Sequence, residues 1–66
     1  MEIIVNGQTM TIDNNLSILE LLDNLQVKEK TMAVAINMEI IKKESWASHQ
    51  LKEADKLELL HFVGGG

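Results

Sequence analysis

Histidines, carboxylates and glycines are the residues of this sequence that could take part in chemistry. His49 and His61 are the only histidines, and the chain contains no cysteine. Zinc sites draw mainly on cysteine and histidine, so two histidines without any cysteine are not expected to form a zinc site. A chain of 66 residues is also too small to supply the shaped pocket that a serine–histidine–acid triad needs. Both histidines are therefore interpreted as ordinary surface or strand residues, and Glu53 and Asp55 as part of a solvated turn.

The other candidate is the run of three glycines that ends the sequence, Gly64-Gly65-Gly66, directly after an apolar segment. A plain interpretation is a frayed end or an engineered remnant. Alternatively, the domain presents a thin, flexible peptide ending in a free carboxylate. Glycine has no Cβ, so such a peptide can enter an enzyme channel that is too narrow for other residues.

Acyl chemistry at Gly66 would need help from another protein. A carboxylate is a poor electrophile, so it must first be activated, most simply by adenylation with ATP. The one internal glycine, Gly7, does not belong to a glycine-rich turn that opens a helix, which is how phosphates are commonly held. We therefore expect this chain to bind no cofactor, and ATP to be used by a partner adenylyltransferase.

Charge and hydropathy restrict the class of partner. The formal net charge is −4, the pI is near 4.9 and there is no arginine. Binding to nucleic acid or to a membrane surface needs a basic face, which the scattered lysines do not form. A protein partner that is basic around its binding groove fits better. No apolar run approaches the ~20 residues that span a bilayer, and the N-terminus does not resemble a signal peptide, so we expect a soluble cytoplasmic domain.

The elements that would position the glycines begin with a hairpin. Residues 1–6 are mostly apolar and favour a strand, while residues 8–12 alternate between polar and apolar. Asn6-Gly7 lies between them, and this pair is the strongest short hairpin signal because both central residues of a type I′ turn need positive φ. The sequence predicts a β-hairpin.

A helix is predicted next. Ser17 is a candidate N-cap, and Glu20 three residues later completes a capping box. The helix would end near Leu25 or Gln26. Its apolar stripe, at the spacing typical of one helix face, consists of Ile18, Leu21, Leu22 and Leu25.

Shorter elements follow, and they are identified by apolar runs separated by polar residues. They are a central strand at residues 32–36, a turn at 37–39, a short strand from Ile40-Ile41, a helical turn at 45–49 that inserts Trp46 under the sheet, a turn at 53–56 and a last strand at 57–63. One helix cannot cover both faces of so small a mixed sheet. We therefore predict an α+β fold of the β-grasp type, with four or five strands. Residues 1–63 would form a single domain and residues 64–66 a flexible glycine tail.

Strand alternation assigns faces to the last strand. The core face receives Leu57, Leu59 and Val63. Leu60 and Phe62 then project from the opposite face together with Glu58, and Ile4 would lie nearby if the first and last strands pair in parallel. An exposed apolar patch beside a reactive tail suits a transient protein partner. The alternative is that Trp46, or a bend near the end of the strand, buries Phe62.

Three segments in this order resemble the ubiquitin-like β-grasp sulfur carriers, in particular those of thiamine biosynthesis. They are residues 1–7 (MEIIVNG), residues 34–37 (VAIN) with EII and ESW shortly after, and residues 55–60 (DKLELL) followed by FVGGG. The resemblance covers essentially the whole chain. It departs from the family at Lys42-Lys43, where many members carry Pro-Arg, and at Ala54, which replaces a frequent turn glycine.

The resemblance implies a mechanism. An E1-like adenylyltransferase (ThiF) would adenylate the Gly66 carboxylate, which would become a thiocarboxylate, a C-terminal 1-thioglycine, with sulfur relayed from a cysteine desulfurase. Thiazole synthase (ThiG) would take up that sulfur to build the thiazole of thiamine, so the chain would be a protein co-substrate and not an enzyme. Gly65 belongs to the same reactive end. The residues expected to contact partners are Gly64, Phe62, Leu60 and Ile4.

Other functions remain open at this point. The small subunit of molybdopterin synthase uses the same terminal thiocarboxylate, but this chain is short for that family and lacks its extra helical insertion. The segment around Trp46 also favours the thiamine carriers. A ubiquitin-like tag joined to lysines by an isopeptide bond, and a small binding module whose tail has no role, are alternatives of different classes.

Overall fold

The computed structural model describes residues 1–61. The predicted tail, and the last two residues predicted for the final strand, lie outside the described residues. The elements are β1 (Glu2–Val5), β2 (Gln8–Thr11), α1 (Ile18–Asn24), β3 (Thr31–Ile36), β4 (Glu39–Ile41), a 3₁₀ helix (Lys43–Ser45) and β5 (Lys56–His61).

The five strands form one mixed sheet in the order β2-β1-β5-β3-β4. β1 and β5 are parallel, and the other neighbouring pairs are antiparallel. The first and last strands therefore lie side by side in the middle of the sheet, and α1 packs on one face of it. This confirms the predicted β-grasp architecture.

The β1–β2 hairpin has the predicted turn. Asn6 and Gly7 have φ values of 50° and 83°, and Val5 pairs with Gln8 across them. Two central residues with positive φ in a two-residue loop are the mark of a type I′ turn. The strands are one or two residues shorter than the predicted ranges.

A second two-residue turn of the same kind joins β3 and β4. Asn37 and Met38 have φ values of 50° and 72°, and Ile36 pairs with Glu39. The turn that was predicted at residues 37–39 is therefore present, but β4 begins at Glu39 and not at Ile40. The sequence does not signal the conformation of Met38, because an unbranched apolar residue with positive φ is uncommon.

Both ends of α1 are closed by hydrogen bonds. The Glu20 N–H donates to Ser17 Oγ at 3.1 Å and the Ser17 N–H donates to Glu20 Oε1 at 2.9 Å, which confirms the predicted capping box. At the other end Leu25 is the C-cap and Gln26 has a φ of 60°. The N–H of residue 27 then donates to the Leu22 carbonyl, as in a Schellman motif.

Trp46 is buried beneath the sheet, as predicted, with 1% of its surface exposed. Its Nε1–H donates to the Ile41 carbonyl at 3.0 Å, so the indole loses no hydrogen bond on burial. The turn predicted at residues 45–49 is closed by the His49 N–H and the Ser45 carbonyl. A 3₁₀ helix, Lys43–Ser45, leads into this turn and shares Ser45 with it; the sequence did not predict that helix.

The interpretation of Asp55 as part of a solvated turn is wrong. Asp55 is 8% exposed, and its carboxylate accepts hydrogen bonds from the Lys52 N–H at 2.8 Å and from Asn37 Nδ2 at 3.2 Å. A carboxylate can be buried when its oxygens are paired in this way. Glu53 also has a partner, because its Oε1 accepts the Glu2 N–H at 3.1 Å. These residues tie the start of β5 to both neighbouring strands.

Ala54, where the related family often has glycine, has a φ of 70°, and its N–H donates to the Glu2 carbonyl at 2.7 Å. A left-handed conformation costs an L-residue roughly 1–2 kcal/mol of folding free energy. Replacing alanine by glycine costs about 0.4–1 kcal/mol of stability, because the unfolded chain gains conformational freedom. We expect Ala54→Gly to raise the free energy of unfolding by about 0.5–1 kcal/mol, measured by urea denaturation.

Ala47→Gly provides the matched control. Ala47 is also exposed, but it does not have a positive φ, so glycine should destabilise the protein there. Opposite signs at the two positions support the argument from backbone strain. Destabilisation of similar size in both variants would contradict it.

Candidate functional site

The two faces of the sheet differ in what covers them. Strand residues that face α1 are nearly inaccessible, and these are Ile3, Val5, Val34, Ile36 and Leu57. Leu59 also packs against this core. Leu60 is 59% exposed and lies on the opposite, open face with Glu58. The face assignments of the described β5 residues are confirmed, whereas Phe62 and Val63 lie outside the described residues.

A shallow apolar groove crosses the open face at Leu60. Ala33 lies opposite Leu60 across the β3–β5 pair, and Ala35 lies opposite both Glu58 and, on the other side, Ile40. Ile40 is 67% exposed. Because the alanine side chains are small, they form a low floor between Leu60 and Ile40. Asn6 and Glu58 also line this concavity. We call its four apolar open-face residues, Ala33, Ala35, Ile40 and Leu60, the apolar groove.

Sequence reasoning missed the contribution of Ile40. The pair Ile40-Ile41 was predicted only to begin a short strand. In the structure Ile41 packs against the core and Ile40 points to the open face. Strand alternation could have identified this, because adjacent residues of a strand point to opposite faces. The alanine floor could not be identified in the same way, because it depends on the register between β3 and β5.

Ile4 is on the open face, and its strand is parallel to β5 as the prediction required. It lies opposite Lys56, however, which is four residues before Leu60 along β5. At about 3.3 Å per residue, this separation is roughly 13 Å. Ile4 lines a different concavity together with Met38. The structure therefore places Ile4 and Leu60 on one face but does not bring them into one groove.

The remaining predicted site residues follow the described part of β5. These are Phe62, Gly64, Gly65 and Gly66, all outside the described residues. The last described residue is His61, in the central strand of the sheet. The position of that strand determines where the sequence FVGGG starts.

The described residues provide little for chemistry of their own. Within residues 1–61, no group of three or more histidine, cysteine, aspartate or glutamate side chains could hold a metal ion. His49 is half-buried, and its backbone carbonyl accepts the Ile18 N–H at 3.0 Å. The same part of the chain has no helix that is long and apolar enough to cross a membrane.

Known proteins with similar sequence and structure match the whole chain. The sequence matches the ThiS family over residues 3–66. It is 33% identical over 66 residues to the sulfur carrier protein ThiS of Escherichia coli, with full coverage of both chains. It is also 35% identical over 66 residues to a thiazole synthase of Paramagnetospirillum magneticum, of whose length the chain spans 20%.

A solved structure agrees with these matches. The crystal structure of the thiamine biosynthesis protein ThiS from Geobacter metallireducens aligns with a TM-score of 0.82 at 36% identity, and the alignment covers all of both chains. The shared features include the mixed sheet with α1 packed on one face. The family match extends through the terminal glycines. On the evidence of fold and sequence together, this chain belongs to the ThiS family.

Proposed function

We propose that this chain is a sulfur carrier for thiamine biosynthesis, and that its reactive group is the Gly66 carboxylate. The observation that carries the proposal is the match to the ThiS family over residues 3–66, which includes the glycine end. The full-length similarity to a sulfur carrier protein of Escherichia coli supports it. Residues 62–66 follow β5 in the sequence, and β5 is a central strand that is paired on both sides. The residue from which the glycine end begins is therefore held by the sheet.

The proposed reaction has three steps. In the first, a Gly66 carboxylate oxygen attacks the α-phosphorus of ATP, and pyrophosphate leaves. In the second, the outer sulfur of a protein persulfide attacks the acyl carbon and AMP leaves. In the third, a thiol cleaves the resulting acyl disulfide, which releases the thiocarboxylate and leaves the thiol and the donor cysteine joined as a disulfide. A partner enzyme of the E1 type (ThiF) supplies the ATP site, and a cysteine desulfurase supplies the sulfur. This chain contributes the acyl group and acts as a co-substrate, not as the catalyst.

The acceptor of the sulfur in this proposal is a thiazole synthase (ThiG). The support is the thiazole synthase of Paramagnetospirillum magneticum, which contains a segment 35% identical to this chain within one polypeptide. Two functions that act on each other can be joined in this way, because a covalent link raises their effective concentration. The similarity to carriers and a synthase of the thiamine pathway favours this function over the carrier of molybdopterin synthase.

We propose the apolar groove as the docking surface for the adenylating enzyme. Leu60 and Ile40 are large apolar side chains exposed on the face that no described element covers. Burying such a side chain fully contributes about 1.5–3 kcal/mol, which is enough for a transient complex when a few are buried together. Leu60 is also close in sequence to the proposed partner contacts Phe62 and Gly64. Ile4 lies on the same face but in the other concavity, so it is not part of this docking surface.

The carrier function is tested by intact-mass analysis of the chain after incubation with ATP, the adenylating enzyme and a sulfur donor. We expect the mass to increase by the difference between sulfur and oxygen, and fragmentation to place the change at Gly66. A chain lacking Gly65 and Gly66 should fold normally but gain no sulfur, and it should not support growth without thiamine. Growth with the truncated chain, or isopeptide-linked remnants on other proteins, would refute the proposal.

The docking surface is tested by Leu60→Asp. Because Leu60 is already exposed, the charge should change the free energy of unfolding little. We expect it to weaken binding to the adenylating enzyme by at least about tenfold, the size typical of a residue at the centre of an interface, in a calorimetric titration. Met38→Asp is the matched control, because Met38 is 93% exposed and lies near the other end of the sheet. Equal losses in the two variants would contradict the assignment to the groove.

A further inference from the structure

Asn6 extends the pairing of β1 with β5 after the chain has begun to turn away. Its backbone N–H donates to the Leu57 carbonyl at 2.9 Å. Its side-chain Oδ1 accepts the Leu59 N–H at 2.8 Å. In a parallel ladder one residue makes this pair of bonds with its own backbone N–H and C=O. Here the amide oxygen of the side chain takes the place of the backbone carbonyl, because the backbone of Asn6 has entered the turn with a φ of 50°.

The Leu59 N–H depends on this contact. Successive residues of a strand direct their N–H and C=O groups to alternate sides. Leu57 bonds to the β1 side, so Leu59 must face that side too, whereas Glu58 and Leu60 face β3. Paired backbone residues of β1 and β5 end at Val5 and Leu57. Asn6 is therefore the last residue of this hairpin that bonds to β5. It bonds at Leu59, two positions before the end of the described strand.

We propose that Asn6 is a positioning residue, which fixes the end of β5 through Leu59 and so sets the point from which residues 62–66 reach the partner enzyme. That Asn6 fixes the end of β5 concerns only the strand. That it thereby helps residues 62–66 to reach a partner rests on the proposed function, in which Gly66 is the reacting residue. A fixed starting point reduces the conformational freedom that must be lost when a partner binds the segment that follows.

Asparagine meets two requirements at this position. The residue must adopt a positive φ, which glycine, asparagine and aspartate tolerate best, and it must carry an acceptor close to its own backbone. Glycine meets only the first requirement, and aspartate meets both. Asn6→Gly thus removes the acceptor and Asn6→Asp keeps it, and both variants preserve the turn.

Asn37 supplies a control at the other end of the same strand. It is the first residue of the second type I′ turn, and its Oδ1 accepts the Lys56 N–H at 3.1 Å. Asn37→Gly therefore removes the same kind of bond from the start of β5. It should lower stability at least as much as Asn6→Gly, because Asn37 also donates to Asp55. It should not affect the strand end at Leu59.

The first experiment uses NMR to measure amide hydrogen exchange in the carrier alone. Loss of a typical backbone hydrogen bond should speed exchange of the Leu59 amide about fivefold relative to the Leu57 amide in Asn6→Gly. Asn6→Asp and Asn37→Gly should leave that ratio near its wild-type value. An unchanged ratio in Asn6→Gly would overturn the inference, whatever the function of the chain.

The second measurement is steady-state adenylation with each carrier variant as the varied substrate. We expect Asn6→Gly to raise KM about threefold or more with kcat within about twofold, Asn6→Asp to restore KM, and Asn37→Gly to leave it unchanged. If Asn6→Gly and Asn37→Gly act alike, or if neither alters KM, the positioning role is wrong. If the wild-type chain is not adenylated at all, the proposed function fails, and the exchange ratio still decides whether Asn6 holds the strand.

Discussion

Parallel pairing between β1 and β5 is the interaction on which the rest of the structure depends. The Ile4 N–H donates to the Asp55 carbonyl and the Asn6 N–H to the Leu57 carbonyl, both at 2.9 Å. These bonds join the two ends of the chain, and the Asn6–Leu59 contact spans 53 residues. Closing so long a loop costs conformational entropy, which burial of apolar side chains must offset. The pairing makes that burial possible, because it brings Val5 and Leu57 side by side in the core beneath α1.

The two type I′ turns serve this central strand as well as their own hairpins. Asn6 and Asn37 each begin a turn, and each directs its side-chain oxygen at a backbone N–H of β5. They approach from opposite sides, one at Leu59 and the other at Lys56. Asp55 orients Asn37 by accepting a hydrogen bond from its Nδ2. The left-handed conformation of both asparagines is thus compensated by hydrogen bonds, whereas the structure gives Ala54 no side-chain bond that could do the same.

Most of the features that the sequence predicted in detail depend on neighbouring residues, whereas several of those it missed depend on distant contacts. The Asn6-Gly7 turn and the Ser17–Glu20 capping box are local patterns with one physical solution each, and both are present. Strand alternation also placed Leu60 on the open face correctly. The burial of Asp55 was missed, and of its two hydrogen-bond partners the Lys52 N–H is three residues away and Asn37 is 18 residues away.

The candidate site also has one part that could be predicted from the sequence and one part that could not. The three glycines of the proposed reactive end could be identified from the sequence alone. The apolar groove depends on register, because Ala33 and Ala35 form its floor only when β3 pairs with β5 as observed. The separation of Ile4 from Leu60 follows from register too, since parallel pairing sets Ile4 opposite Lys56. Periodicity can assign a residue to a face, but it cannot say which residues on that face are adjacent.

The composition of the open face is itself an argument for a partner. A sheet with one face toward solvent usually carries polar residues there. On the β2 side this holds, since Thr9 and Thr11 are exposed. On the β3–β4 side the same face carries the apolar groove, with Ile40 and Leu60 both more than half exposed. Core packing does not require these side chains, because α1 already covers the other face. Their apolar surface would be removed from water if another protein covered the groove, as the proposed docking requires.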